Sequence, residues 1–142
     1  RLDDFKAVAH QVVGAMFDSN RVRRIDNTDV FATISRAADY AKAAHDRRST
    51  LILLSDMENS TDEMRMERSG GIPSPEWIEV RRSASRLPDM RGVCVLVAGA
   101  APETQRGAMI HDFWVRYLAA AGTTLAATNY RAFVPDAMEL RC

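Results

Sequence analysis

The sequence predicts an α/β domain, a doubly wound and mostly parallel sheet flanked by helices in three layers. Two observations carry that expectation. Leu51-Ile52-Leu53-Leu54 and Val93-Cys94-Val95-Leu96-Val97-Ala98 run apolar without a break, the pattern of strands buried on both faces. Segments with apolar residues every three or four positions stand before, between and after them. Strands alternating with helices imply right-handed crossovers and parallel pairing, a Rossmann-like arrangement. The 142 residues make one domain, 1–142, long enough for a sizeable core.

Composition narrows the function classes. Nineteen basic residues balance nineteen acidic ones, for a formal net charge of zero, which argues against nucleic-acid or membrane-surface binding by bulk electrostatics. No apolar run approaches the length of a membrane span, so no membrane insertion is expected. Cys94 lies inside an apolar run and reads as a core thiol, with nothing in the sequence to support a disulfide to Cys142. No CxxC or Cys/His cluster suggests zinc.

In chain order, Phe5, Val8, Ala9, Val12, Val13, Met16 and Phe17 make one apolar stripe and predict a helix over 3–18. Residues 21–27 read as a polar connector. A second helix opens at Thr28-Asp29-Val30-Phe31, capped by Asn27 or Thr28, with Val30, Ile34, Ala37, Ala38 and Ala41 on its buried face. It closes at His45 to Arg48, where positive charge meets the negative helix end. A strand at 50–55 follows. The acidic, methionine-bearing stretch after it, ending in Ser69-Gly70-Gly71, reads as a long, partly mobile loop with one helical turn.

Ser74 caps the next helix, Pro75 takes its first position, Trp77, Val80, Ala84 and Leu87 line one face, and Pro88 stops it. The second buried strand ends in small residues at Gly99. Thr104 then leads into the strongest helix, with Met109, Ile110, Phe113, Trp114, Tyr117, Leu118 and Ala121 as its stripe and Gly122 just past its end. Thr123 to Ala127 read as a third, shorter strand, and Phe133 and Val134 of the tail are able to dock.

Ligands of open parallel sheets bind beyond the carboxyl ends of the strands. Asp56, where the run Leu51–Leu54 turns polar, is therefore the first candidate functional residue, its bland alternative being a cap on the next turn. Three strands make a thin sheet for four helices. That imbalance, with Arg1 rather than methionine at the start, suggests that strands precede the chain given.

Four pieces, taken together, resemble the von Willebrand factor type A domain in its bacterial form. Thr28-Asp29-Val30-Phe31 with Ala37-Ala38 resembles its threonine loop and following helix. Leu51 to Met57 resembles its central strand ending in aspartate. Leu87-Pro88 with the run Gly92 to Gly99 resembles the next strand and its entry, and Phe113-Trp114 through Ala121-Gly122 the last large helix. The resemblance covers residues 28 to 127.

It implies a doubly wound domain whose sheet top holds a divalent metal, magnesium, in a metal-ion-dependent adhesion site built from three loops. The threonine of that site would be Thr28 and the aspartate Asp56. The family's Asp-x-Ser-x-Ser occurs nowhere in the sequence, so the resemblance implies a carboxyl-terminal portion with an incomplete site. The implied activity is not enzymatic. It is the binding of a protein partner through an acidic residue that completes the metal shell.

Two alternatives stand beside this one. A magnesium-dependent phosphoryl-transfer or phosphoacceptor domain would use Asp56 with further carboxylates from Asp29 and Glu58, but Lys6 and Lys42 both fall within helices. A metal-free scaffold is the other. His10, His45 and His111 all sit in predicted helices and suggest no catalytic triad. A strand at 50–55 without a neighbour on one side would expose an edge prone to self-association.

Overall fold

The computed structural model describes residues 27–44 and 48–133. The helix expected over 3–18, the connector before residue 27, and His45, Val134 and Cys142 lie outside them. Among the described residues, three helices and a three-stranded parallel sheet make an α/β fold of Rossmann-like type.

Helix α1 runs Val30–Ala43, with Val30, Ile34 and Ala38 buried along one side. Its cap is Asp29, not Asn27 or Thr28. The Asp29 carboxylate accepts from the Ala32 N–H at 2.9 Å, and its carbonyl accepts from the Thr33 hydroxyl at 2.9 Å. Thr28 is held outside the helix because its backbone pairs with Ser60.

Strands β1, Ser49–Leu54, and β2, Val93–Ala98, pair parallel from Ser49 opposite Val93 to Leu54 opposite Ala98. Strand β3, Tyr130–Arg131, joins the far side of β2, with Tyr130 opposite Val97. The order β1-β2-β3 means both crossovers step the same way. Right-handed connections then put their helices on one face. The core agrees: Val93, Val95 and Val97 pack with residues of all three helices. Leu96 and Ala98 point to the other face and are also buried.

The β1–β2 crossover carries α2, Pro75–Ser83. Ile78 is its buried residue and Trp77 packs against the core, whereas Val80, expected inside, is 68% exposed. Two residues on from Ile78 is about 200° round the helix, which turns Val80 to solvent. Ser74 stands at the cap position but makes no backbone cap bond. Its hydroxyl bonds the Glu76 carboxylate instead, lowering that group's pKa. The helix ends well before Pro88, with Ser85 at φ 53°.

Helix α3, Gln105–Ala120, follows β2 and is capped by Thr104, whose side chain accepts from the Gly107 N–H at 2.9 Å. Gly122, at φ 98°, takes the left-handed position past the end. Ile110, Phe113, Trp114, Tyr117 and Leu118 are buried as expected, while Met109, at the margin of the stripe, is 54% exposed. Phe31 sits 4.8 Å from Trp114 and 5.1 Å from Tyr117 by ring centroid, locking α1 onto α3.

The third strand is displaced from its expected place at Thr123–Ala127 to Tyr130–Arg131, after a 3-10 turn at Ala127–Asn129. Side chains do what strand backbone would have done. The Thr123 hydroxyl donates to the Val93 carbonyl at 2.6 Å and the Asn129 amide to the Val95 carbonyl at 3.1 Å. Only at Val97 does backbone pairing begin. Cys94 is disulfide-bonded rather than the free core thiol expected. Phe133, expected to dock, is exposed.

Candidate functional site

Beyond β1 the chain runs from Ser55 to Ser74 without a helix. It makes short turns, in which the Arg68 N–H donates to the Arg65 carbonyl at 3.2 Å and the Gly71 N–H to the Arg68 carbonyl at 2.9 Å. The segment is also held by short-range caps and buried side chains. The Ser55 hydroxyl accepts from the Met57 N–H and Asp56 Oδ1 from the Glu58 N–H, each at 2.9 Å. These side-chain turns reverse the chain as it leaves β1, and Met57 takes φ 66° within them. Its side chain is buried, and its carbonyl accepts from Trp114 Nε1 at 2.9 Å.

Asn59, also buried, ties this segment to α1. Its Oδ1 accepts from the Val30 N–H at 2.9 Å, and its amide donates to the Met64 carbonyl at 3.3 Å. Next to it, Thr28 N–H donates to the Ser60 carbonyl at 2.7 Å and Ser60 N–H to the Thr28 carbonyl at 2.8 Å. Ser60 also bridges to Arg65. The loop carrying Thr28 and the loop carrying Asp56 are thus joined by a small antiparallel ladder. Both residues are exposed. Asp56 keeps Oδ2, and Thr28 its hydroxyl, without a hydrogen bond among the described residues.

The rim has a distinct electrostatic character. Burial, then the nearby carboxylates of Asp56 and Glu58, push the Tyr130 hydroxyl up to about 12. Asp56 therefore stands close enough to β3 for its charge to be felt there. Arg106, in the first turn of α3, answers part of this charge. Its Nε donates to Glu58 Oε1 at 2.8 Å, and its guanidinium also bonds the Met66 carbonyl. The bond to Glu58 raises the Arg106 pKa. His111 lies 4.5 Å from Tyr130 by ring centroid, and its buried Nε2 has no hydrogen-bond partner among the described residues.

Sequence reasoning singled out Thr28 and Asp56 but passed over Asn59, Arg106 and Tyr130. Glu58 and Arg106 are 48 positions apart, and no local pattern links them. Asn59 had a faint signal, as a polar residue in a loop that also buries two methionines.

Among the described residues, no three His, Cys, Asp or Glu side chains are grouped to hold a metal ion. The oxygen donors of Thr28 and Asp56 suit magnesium in kind but are few against its six positions. Two shallow grooves lie elsewhere. One of about 220 Å³ runs between α2 and α3 past Ile78 and Phe113, and one of about 320 Å³ runs past Asp39, Lys42 and Arg86. Neither is lined by Thr28, Asp56, Glu58, Arg106 or Tyr130. No family model, no curated protein and no solved structure matches the chain.

Proposed function

We propose that the rim beyond β1 is a protein-binding surface of the von Willebrand factor type A kind. Thr28 and Asp56 contribute there to a magnesium site that a partner's acidic side chain completes. The observation that supports this most is the ladder between Thr28 and Ser60. It joins the two loops that the resemblance assigns to one metal site, although their residues are far apart in sequence. The negative charge that Asp56 and Glu58 exert on Tyr130 is a second support, since an acidic rim attracts a cation.

Bound magnesium would supply a positive charge facing the partner's carboxylate. Thr28 would offer its hydroxyl and Asp56 its free carboxylate oxygen, directly or through water. With two protein groups, the chain by itself binds the cation weakly. A binding module is favoured over a phosphoryl-transfer centre because the extra carboxylates that such a centre needs are committed. Asp29 caps α1 and Glu58 pairs with Arg106.

Magnesium titration of the 142-residue chain, followed by amide NMR, tests the proposal. Shifts should concentrate on residues 28 and 55–60, vanish in Asp56→Ala and weaken in Thr28→Ala. Retention on an immobilised acidic peptide should require magnesium. A titration unaltered by both substitutions overturns the reading, as does magnesium-dependent turnover of a phosphorylated substrate that Asp56→Ala abolishes.

A further inference from the structure

Cys94 is disulfide-bonded, and the sequence holds a single other cysteine, Cys142. Side chains alternate along β2. Cys94 therefore stands with Leu96 and Ala98 on the face turned away from Val93, Val95 and Val97 and from the helices packed on them. That face is unevenly covered. Leu96 and Ala98 are buried, at 2% and 3% exposure, yet neither belongs to the apolar cluster beneath the helices. Their neighbours in register on β1, Thr50 opposite Cys94 and Leu54 opposite Ala98, are exposed. The cover lies over β2, away from β1 and toward β3.

We propose that a disulfide between Cys94 and Cys142 straps the carboxyl-terminal segment, residues 134–142, across this face. Strand β3 leaves the sheet with Arg131 opposite Ala98, at the end of β2, whereas Cys94 is the second residue of that strand. The return from the level of Ala98 to that of Cys94 is about 13 Å. Residues 134–142 extend to about 30 Å, so they reach with slack. The same segment supplies Val134, Met138 and Leu140 as apolar cover for Leu96 and Ala98.

The bond forms by exchange with a small-molecule disulfide such as oxidised glutathione. One cysteine thiolate attacks it, and the other displaces the remaining thiol from the mixed disulfide. The two protons and two electrons given up by the cysteines leave with the two thiols released. Closing a loop of about 50 residues favours the folded chain by roughly a thousandfold. Reduction removes that gain and frees the segment next to β3, which is two residues long and carries Tyr130.

Peptide mapping of the 142-residue chain without reductant, after equilibration with oxidised glutathione, tests the pairing. A monomer two hydrogens lighter than the reduced chain is expected, with one cross-linked peptide pair holding Cys94 and Cys142. Free thiols, thiols capped by glutathione, or a disulfide between two copies overturn the proposal. Methyl NMR tests the strap. The oxidised chain should give cross-peaks from Met138 or Leu140 to Leu96 or Ala98, a reading that stands even where the reduced chain unfolds. If the reduced chain stays folded, the Leu96 and Ala98 methyls should shift, those of Leu118 should not, and Cys142→Ser should reproduce the reduced spectrum. A disulfide-bonded chain without those cross-peaks overturns the strap, as do Leu96 and Ala98 methyls that a folded, reduced chain leaves unmoved.

Discussion

The side chain of Asn59 accepts a hydrogen bond from the backbone N–H of Val30 at 2.9 Å, both residues being buried. One of the free donors at the start of α1 is thereby satisfied from a loop 29 positions away. The contact carries two consequences. It fixes the angle at which α1 enters the core, and it holds the Thr28 loop beside the loop of Asp56.

Asn59→Ala should therefore cost more than an ordinary loop substitution. It leaves the Val30 N–H buried without an acceptor, a loss of about 1–3 kcal/mol. Urea unfolding of the variant measures this. The amide resonances of Thr28 and Ser60 should broaden or shift with it, whereas resonances in β2 should not.

Met57 sets two effects against each other. At φ 66° an L side chain is strained by about 1–2 kcal/mol, which glycine would relieve. The same side chain is buried at 0% exposure, and removing a buried methionine costs about 2–5 kcal/mol. Burial wins, so Met57→Gly should lose about 1–3 kcal/mol in the same unfolding assay. A stabilised Met57→Gly would mean that the loop is not packed as described.

Gly107 offers a similar contest in α3. Alanine is the better helix former by about 1 kcal/mol. A Cβ at this position, however, would lie 1.8 Å from the Ala101 carbonyl oxygen and 2.8 Å from the capping hydroxyl of Thr104. Overpacking of this kind typically costs about 1–3 kcal/mol, and here the obstruction is backbone. Gly107→Ala should lower stability by about 2 kcal/mol despite its helix propensity, as read from thermal or urea unfolding.

Alkaline titration addresses the rim itself. Burial holds Tyr117 and Tyr130 up to about 12, above the ordinary value of 10.0, and Asp56 and Glu58 add to the shift at Tyr130. A folded-state pKa above the unfolded one means that the fold binds the proton more tightly. The stabilisation is complete below pH 10 and is lost as pH rises from there through about 12. Tyrosinate absorbance should show Tyr117 and Tyr130 ionising late, together with unfolding. Asp56→Asn should move the Tyr130 midpoint down and leave that of Tyr117 in place. An unmoved Tyr130 would separate Asp56 from β3.

Much of this architecture was legible in the residues. Uninterrupted apolar runs marked β1 and β2, and the three- and four-residue spacing with Thr104 and Gly122 marked α3 within a residue at each end. These signals are local, because they depend on neighbours within one turn or one strand. α2 was legible in place but not in facing. A nine-residue helix leaves too short a stripe to decide between Ile78 and Val80 without the sheet it packs on.

The sequence alone determined the order and type of the described elements and the parallel sense of the sheet, since periodicity and turn chemistry act over a few residues. It nominated Asp56 by its place at a strand end, and Thr28 only through the family resemblance. Tertiary structure decided the rest. It moved the third strand to Tyr130 because the side chains of Thr123 and Asn129 had already satisfied the carbonyls before it. It gave the cap of α1 to Asp29 because Thr28 was drawn into pairing with Ser60. It also brought Glu58 to Arg106 and Trp114 to Met57, across 48 and 57 positions of chain. Hydrogen bonds of that span are chosen by which groups the folded core brings within reach, and no local pattern encodes them.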